Sequence, residues 1–290
     1  MKLSFNTGKP AVTFGLKKAV EMIADAGFDA LDFSEFDAEF YTDAHDRAFY
    51  RDIRSCAEDR GLYFNQAHAP FPSSYPEEAK TKETFGHIVH GMEIASWLGV
   101  RDIIVHPCQH LEYADDGNPE RLYEINMDFY RSLQPYCEEY GIRIAVENMW
   151  QYPRTVCHST CSRPEEFVKY MDSLDNRWFV ACLDIGHAML VKEMPDGMIR
   201  ALGGQRLRAL HVHDVDGIHD SHTLPYYGIV NWEKVMKALA QVDYQGELTY
   251  EASNFLTGVP EALWPDALKY MERVGRHLIS RFDAYREEIK

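Results

Sequence analysis

"RIAVEN", residues 143–148, is a short β-type run in which apolar residues alternate with a small one and an acidic one. Successive side chains of a strand point to opposite faces, so Ile144 and Val146 share one face while Ala145 and Glu147 share the other. In a closed barrel one such row faces the surrounding helices and the other the interior. On this reading Glu147 points inward, at the C-terminal end of its strand.

The same pattern recurs on both sides of this run. "GELTYEA" (246–252) sends Leu248 and Tyr250 outward and Thr249 and Glu251 inward. "LRALHVH" (207–213) sends Leu210 and Val212 outward, leaving Ala209, His211 and His213 inside. "FVACLD" (179–184) puts Cys182 and Asp184 inside, "RDIIVHP" (101–107) Ile104 and His106, and "LYFNQAH" (62–68) Gln66 and His68. With "KLSFN" (2–6) and "ALDFS" (30–34) the β-type runs number eight. Segments of helical spacing separate them, such as "LKKAVEMIADAG" (16–27), several closed by a glycine: Gly27, Gly61, Gly99 and Gly141. Eight strand–helix units without a low-complexity linker predict an α/β fold, a single (β/α)8 TIM barrel spanning 1–290. A doubly wound open sheet is the alternative, but no Gly-rich phosphate turn follows the first run.

Active sites of such barrels sit at the C-terminal rim of the strands. Each of the six inward rows assigned above ends there in His, Asp or Glu, residue types almost never buried unless paired or bound to metal. A lone His68 or His106 reads equally well as a hydrogen-bonded core histidine; the convergence carries the case. Glu147, Asp184, His211 and Glu251 make a mixed nitrogen and oxygen set for a divalent cation. Without a thiolate the candidates are zinc, manganese, cobalt or magnesium, and the histidine favours a transition metal.

In order along the chain, "HAPF" (68–71), "VHP" (105–107), "VEN" (146–148), "LDIGH" (183–187), "HVHD" (211–214), "DSH" (220–222) and "YEAS" (250–253) resemble the xylose isomerase-like TIM barrel superfamily. The superfamily holds sugar and sugar phosphate isomerases and epimerases together with endonuclease IV-type DNA-repair enzymes. Resemblance to its ketose 3-epimerases implies one metal on Glu147, Asp184, His211 and Glu251, with the two glutamates as the acid/base pair. Resemblance to the endonucleases implies three zinc ions. These fall on His68, His106 and Glu147; on Glu147, Asp184, His211 and Glu251; and on His187, Asp220 and His222. One to three ions per chain are therefore expected. His213, Asp214, Asp216 and His219 are then supporting or surface groups.

The resemblance implies a metal-dependent sugar isomerase or epimerase passing through an enediolate, or a chemically adjacent dehydratase of a keto-sugar. His187 either binds a substrate hydroxyl or holds a further metal. Trp150 and the "PYYG" run (225–228) suggest aromatic walls of a sugar pocket, beside the plainer reading of Trp150 as packing. Two rivals are a zinc phosphodiesterase on abasic DNA and a non-catalytic sugar-binding barrel. The net charge of −16 and the acidic loops "QHLEYADDGNPE" (109–120) and "HDVDGIHD" (213–220) oppose a nucleic-acid partner. No Gly-rich or Arg-rich phosphate clamp is apparent, which favours a non-phosphorylated sugar.

"MKLSFNTGKP" lacks a signal-peptide core and no segment is long and apolar enough to span a membrane, so a cytoplasmic protein is expected. The six scattered cysteines read as reduced and structural, Cys157 and Cys161 included. The apolar and aromatic C-terminal segment "ALWPDALKYMERVGRHLISRF" (262–282) packs either on the barrel or on a second subunit of a homo-oligomer.

Overall fold

All eight β-type runs form strands: β1 (Leu3–Asn6), β2 (Ala30–Phe33), β3 (Tyr63–His68), β4 (Asp102–Ile104), β5 (Arg143–Glu147), β6 (Phe179–Asp184), β7 (Leu207–His211) and β8 (Leu248–Tyr250). The computed structural model describes residues 1–34, 45–114, 117–151 and 158–289. Cys157 and two aspartates of the 109–120 loop lie outside these residues.

The strands run parallel in the order 7-6-5-4-3-2-1-8. A single parallel bridge between Val212 and Tyr250 brings the two ends together. The Val212 amide donates to Thr249 O at 2.8 Å and the Glu251 amide donates to Val212 O at 3.3 Å. The result is a nearly closed barrel, the TIM-barrel architecture. β4 is shorter than the predicted 101–107, because after Val105 the chain leaves the ladder; His106 still reaches the rim.

Between the strands come α1 (Gly8–Phe14), α2 (Leu16–Ala26), α3 (Arg47–Glu58), α4 (Glu78–Leu98), α5 (Asn118–Tyr140), α6 (Pro164–Asp172), α7 (Ile185–Leu190), α8 (Pro195–Arg206), α9 (Trp232–Gln241) and α10 (Trp264–Ile289). Gly27, Gly99 and Gly141 cap α2, α4 and α5 in the left-handed conformation. Gly61 instead sits two residues beyond the α3 cap at Asp59, within the turn into β3.

Side-chain direction follows the alternation. Ile144, Val146, Leu210, Val212, Leu248 and Tyr250 join the large core between strands and helices. Ile104, Ala145, Val180, Cys182 and Ala209 form a separate small cluster inside the barrel. The opposite inner wall is polar and internally bonded: Ser4 Oγ donates to Asn65 Oδ1 at 2.6 Å, and Asn65 Nδ2 to Thr249 Oγ1 at 3.0 Å. At the base Arg143 clasps Asp102 through two hydrogen bonds of 2.6 and 2.9 Å. These layers occupy the interior below the C-terminal rim.

The C-terminal helix packs on the barrel. Gly275 abuts Leu3 so closely that a Cβ there would come within 2.5 Å of a leucine methyl, and Arg276 donates to both Asp29 Oδ2 and Gly27 O at 2.6 Å. Among the described residues no helix is long and apolar enough to cross a membrane.

Candidate metal centre

Four consecutive strands deliver the centre of the site from their last inward positions. Glu147 ends β5, Asp184 ends β6, His211 ends β7, and Glu251 follows β8 by one residue. His211 Nδ1 lies 3.3 Å from Glu147 Oε2, 3.2 Å from Glu251 Oε2 and 3.7 Å from Asp184 Oδ2. Glu147, Asp184 and His211 are almost wholly buried, at 1% exposure or less. Glu147 Oε2 and both ring nitrogens of His211 lack a hydrogen bond of good geometry.

Asp184 has its backbone and side chain fixed separately. Its backbone amide donates to Asn148 Oδ1 at 2.7 Å, and its carbonyl accepts from Asn148 Nδ2 at 3.0 Å. Its carboxylate caps the short helix α7 by accepting from the His187 amide at 2.6 Å. This places His187 over the rim, one turn beyond Asp184.

A second set stands beside the first. His187 donates from Nδ1 to Asn148 O at 2.9 Å, and His222 from Nδ1 to Glu251 O at 2.9 Å. Both rings therefore turn Nε2 toward Asp220 Oδ2, at 3.4 and 3.0 Å. Backbone-bonded Nδ1–H groups that leave Nε2 free to coordinate are the usual support of ligating histidines. His222 takes a left-handed φ of +43° to reach this position. A non-glycine residue held there marks a loop shaped around its side chain.

His68 and His106 complete the ring. His106 Nε2 is 3.2 Å from Glu147 Oε2. His68 faces Glu251 Oε1 at 3.7 Å and stacks on His211 with centroids 4.6 Å apart. Among the described residues, Asp184, His211 and Glu251 form one compact ligand group, His187, Asp220 and His222 another, Glu147, Asp184 and His187 a third, and His213, His222 and Glu251 a fourth. His68 is instead grouped with Asp32 and His211, and no compact group joins it to His106 and Glu147.

Charge in the cluster is balanced by the histidines. Burial raises Glu147, but the His211 and His106 rings outweigh it and hold the carboxyl well below its usual range. Asp184 is depressed against burial by His187 and His213. Burial opposes protonation of both His187 and His211, yet Asp184 and Asp220 push His187, and Cys182, Glu251 and Glu147 push His211, well above the ordinary imidazole value. Desolvated carboxylates demand positive charge nearby. A divalent cation held among these rings would supply it, displacing any protons they carry.

Above the cluster opens a cavity of about 600 Å³, walled by Phe71, Leu111, Met149 and Trp150 and floored by Glu147 and Glu251. A cleft of about 800 Å³ beside Tyr113 and Glu166 lies elsewhere, away from the convergent ligands. The expected "PYYG" wall is not part of the site. Tyr226 and Tyr227 are about half exposed, Tyr226 near His277 and Tyr227 hydrogen-bonded to Tyr270, because the turn carrying them faces α10. His213 and Asp214 are fully buried supports, whereas Asp216 and His219 form an exposed pair. Asp32 and Asn148 were missed by the sequence reading. Only the alternation in "ALDFS" signals Asp32, and nothing in "VEN" separates a structural asparagine from a ligand.

The sequence model of the family described as xylose isomerase-like TIM barrel matches residues 20–274. D-psicose 3-epimerase of Ruminiclostridium cellulolyticum is 20% identical over 252 residues, covering 81% of this chain and 77% of that protein. The crystal structure of a D-tagatose 3-epimerase-like protein superposes with a TM-score of 0.74 at 20% identity, covering all of both chains. That of IOLI protein with a bound zinc atom superposes at 0.75 with 17% identity, covering 98% of this chain and 99% of its own.

Proposed function

The chain belongs to the xylose isomerase-like TIM barrel family, and from that premise we propose that it is a divalent-metal-dependent isomerase or epimerase of a small sugar. The observation that carries this reading is the convergence of Glu147, Asp184 and Glu251 on a single nitrogen, His211 Nδ1, within 3.2–3.7 Å. The similarity to a D-psicose 3-epimerase and to a D-tagatose 3-epimerase-like protein favours this chemistry over hydrolysis of abasic DNA.

The residues fit a divalent ion. Buried Glu147 Oε2 and His211 Nδ1 have no hydrogen bond of their own, and the donor set is the hard oxygen and imidazole type that zinc, manganese, cobalt and magnesium accept. Glu147, Asp184, His211 and Glu251 would hold it, with His187, Asp220 and His222 as the place of a second. When bound, such an ion polarises the sugar carbonyl and lowers the energy of the neighbouring enediolate.

Glu147 and Glu251 then act as base and acid on the two faces of the carbon beside the carbonyl, one removing its proton and the other returning one. His187 Nδ1, whose hydrogen goes to Asn148 O, lies 3.1 Å from Glu147 Oε1. Trp150 offers a flat apolar wall for the sugar ring, and His187 a donor or acceptor to a hydroxyl.

The test joins metal analysis to proton exchange. Protein purified without added metal should carry at least one divalent ion per chain, and a ketose panel in D₂O should show deuterium entering the epimerised carbon. Metal-free protein that neither binds added Mn²⁺, Co²⁺ or Zn²⁺ nor exchanges that proton would overturn the assignment. Two or three zinc ions with cleavage of abasic DNA and no exchange would replace it with the hydrolase.

A further inference from the structure

His213 is not among the residues proposed above to hold an ion, although its ring lies in a compact group with His222 and Glu251, and it is wholly buried. β7 ends at His211, and the same alternation turns the next inward side chain onto the neighbouring strand. His213 Nε2 lies 3.0 Å from Asp184 Oδ1 and 2.9 Å from Asp184 Oδ2. A carboxylate can only accept, so this nitrogen carries the hydrogen and donates to both oxygens.

The ring is held on three sides. Asp184 takes its Nε2 edge. Its Cε1 edge lies against the backbone of α7 at Gly186, where a Cβ would sit 2.1 Å from His213 Cε1. One face lies parallel to the His222 ring, with centroids 4.1 Å apart and planes 9° apart. His213 thus touches Asp184 of one ligand group and His222 of the other. Asp184 has one other donor on its carboxylate among these contacts, the His187 amide on Oδ1. Oδ2, the oxygen nearer His211, is steered by His213 alone of the two.

We propose that His213 is a positioning residue for the metal centre, fixing the Asp184 carboxylate toward His211 through its Nε2–H and backing the His222 ring with its face. The inference rests on the reading of the site as a divalent-metal centre. A merely structural His213 would contribute bulk alone, and bulk is preserved by phenylalanine. Loss of a hydrogen-bonding partner behind a metal ligand typically costs 10–100-fold in affinity.

The test is calorimetric titration of the metal-free full chain with Mn²⁺ and with Zn²⁺, comparing wild type with His213→Phe and Gly186→Ala. His213→Phe keeps the ring and removes the donor; Gly186→Ala keeps the donor and displaces the ring. Each is expected to bind the first ion 10–100-fold more weakly while the circular dichroism of the metal-free protein stays that of wild type. Wild-type affinity in His213→Phe overturns the inference. Should that variant not fold, wild-type affinity in Gly186→Ala overturns it equally. A wild-type chain that binds neither ion overturns the metal reading itself, an outcome separate from unchanged binding in the variants.

Discussion

Asp32 Oδ1 lies 3.2 Å from His68 Nδ1, with both side chains completely buried. The pair joins β2 to β3 and sets which ring nitrogen of His68 turns toward Glu251. Asn6 Nδ2 donates to the other oxygen of Asp32 at 3.3 Å, so the carboxylate serves two strands at once.

Asp32→Ala removes the acceptor for both donors. Leaving a buried donor unpaired costs about 1–3 kcal/mol, and the variant is expected to lose about 2–4 kcal/mol in urea unfolding. Turnover or metal affinity should fall about 10–100-fold as His68 loses its orientation. Wild-type turnover in this variant would remove His68 from the working site.

Glu147→Gln keeps shape and removes the base. Turnover on whichever ketose the wild type epimerises is expected to fall about 10²–10⁴-fold, the usual contribution of a positioned proton-transfer group. Glu251→Gln should do the same. A non-catalytic sugar-binding barrel would instead show no turnover in wild type and sugar binding little changed in either variant, which equilibrium titration reads directly.

Asp214 shapes the loop that carries Asp220 and His222. Its buried carboxylate accepts from the Val215 and Val230 amides at 3.0 Å, the Tyr226 amide at 2.9 Å and Trp232 Nε1 at 2.8 Å. Asp214→Ala strands all four donors and is expected to destabilise the protein by at least about 3 kcal/mol in urea unfolding. Amide exchange in residues 215–230 should quicken as the loop loosens.

Glu166, outside the ligand cluster, gives stability a pH dependence of its own. Burial, opposed by the Tyr113 hydroxyl 3.1 Å away and by Arg163, raises its carboxyl from 4.5 to about 7. Between those values the folded chain keeps a proton that the unfolded chain has lost. The contribution is therefore fully present below pH 4.5 and lost as the pH climbs through 7, by up to about 3 kcal/mol. Glu166→Gln should flatten that fall, measured as the difference in urea midpoint between pH 5 and pH 8.

Much of this molecule is written locally. Two-residue alternation in "RIAVEN", "LRALHVH" and "GELTYEA" is a steric property of extended backbone, so it fixes which side chains enter the barrel before any contact is known. Eight such runs separated by helical spacing specify the closed parallel architecture, and the polar residue at the end of each inward row specifies a rim rich in ligands. Sequence therefore determined the barrel and the membership of Glu147, Asp184, His211 and Glu251 in one site.

Tertiary structure decided what one-dimensional spacing does not encode: distance across strands and the direction of loops. The "PYYG" tyrosines, only a few residues from His222, face α10, because four hydrogen bonds to Asp214 fold the intervening loop back on itself. Asp32, in a run with no other ionisable residue, meets His68 because the β2–β3 register sets Asp32 beside Gln66, two residues before that histidine. His213 reads as one more polar residue in a crowded stretch, and becomes the neighbour of both Asp184 and His222 only when β6, β7 and the following loop come together. Partners such as these arise from packing between segments distant in the chain, where the chemistry of each residue is local but its neighbour is not.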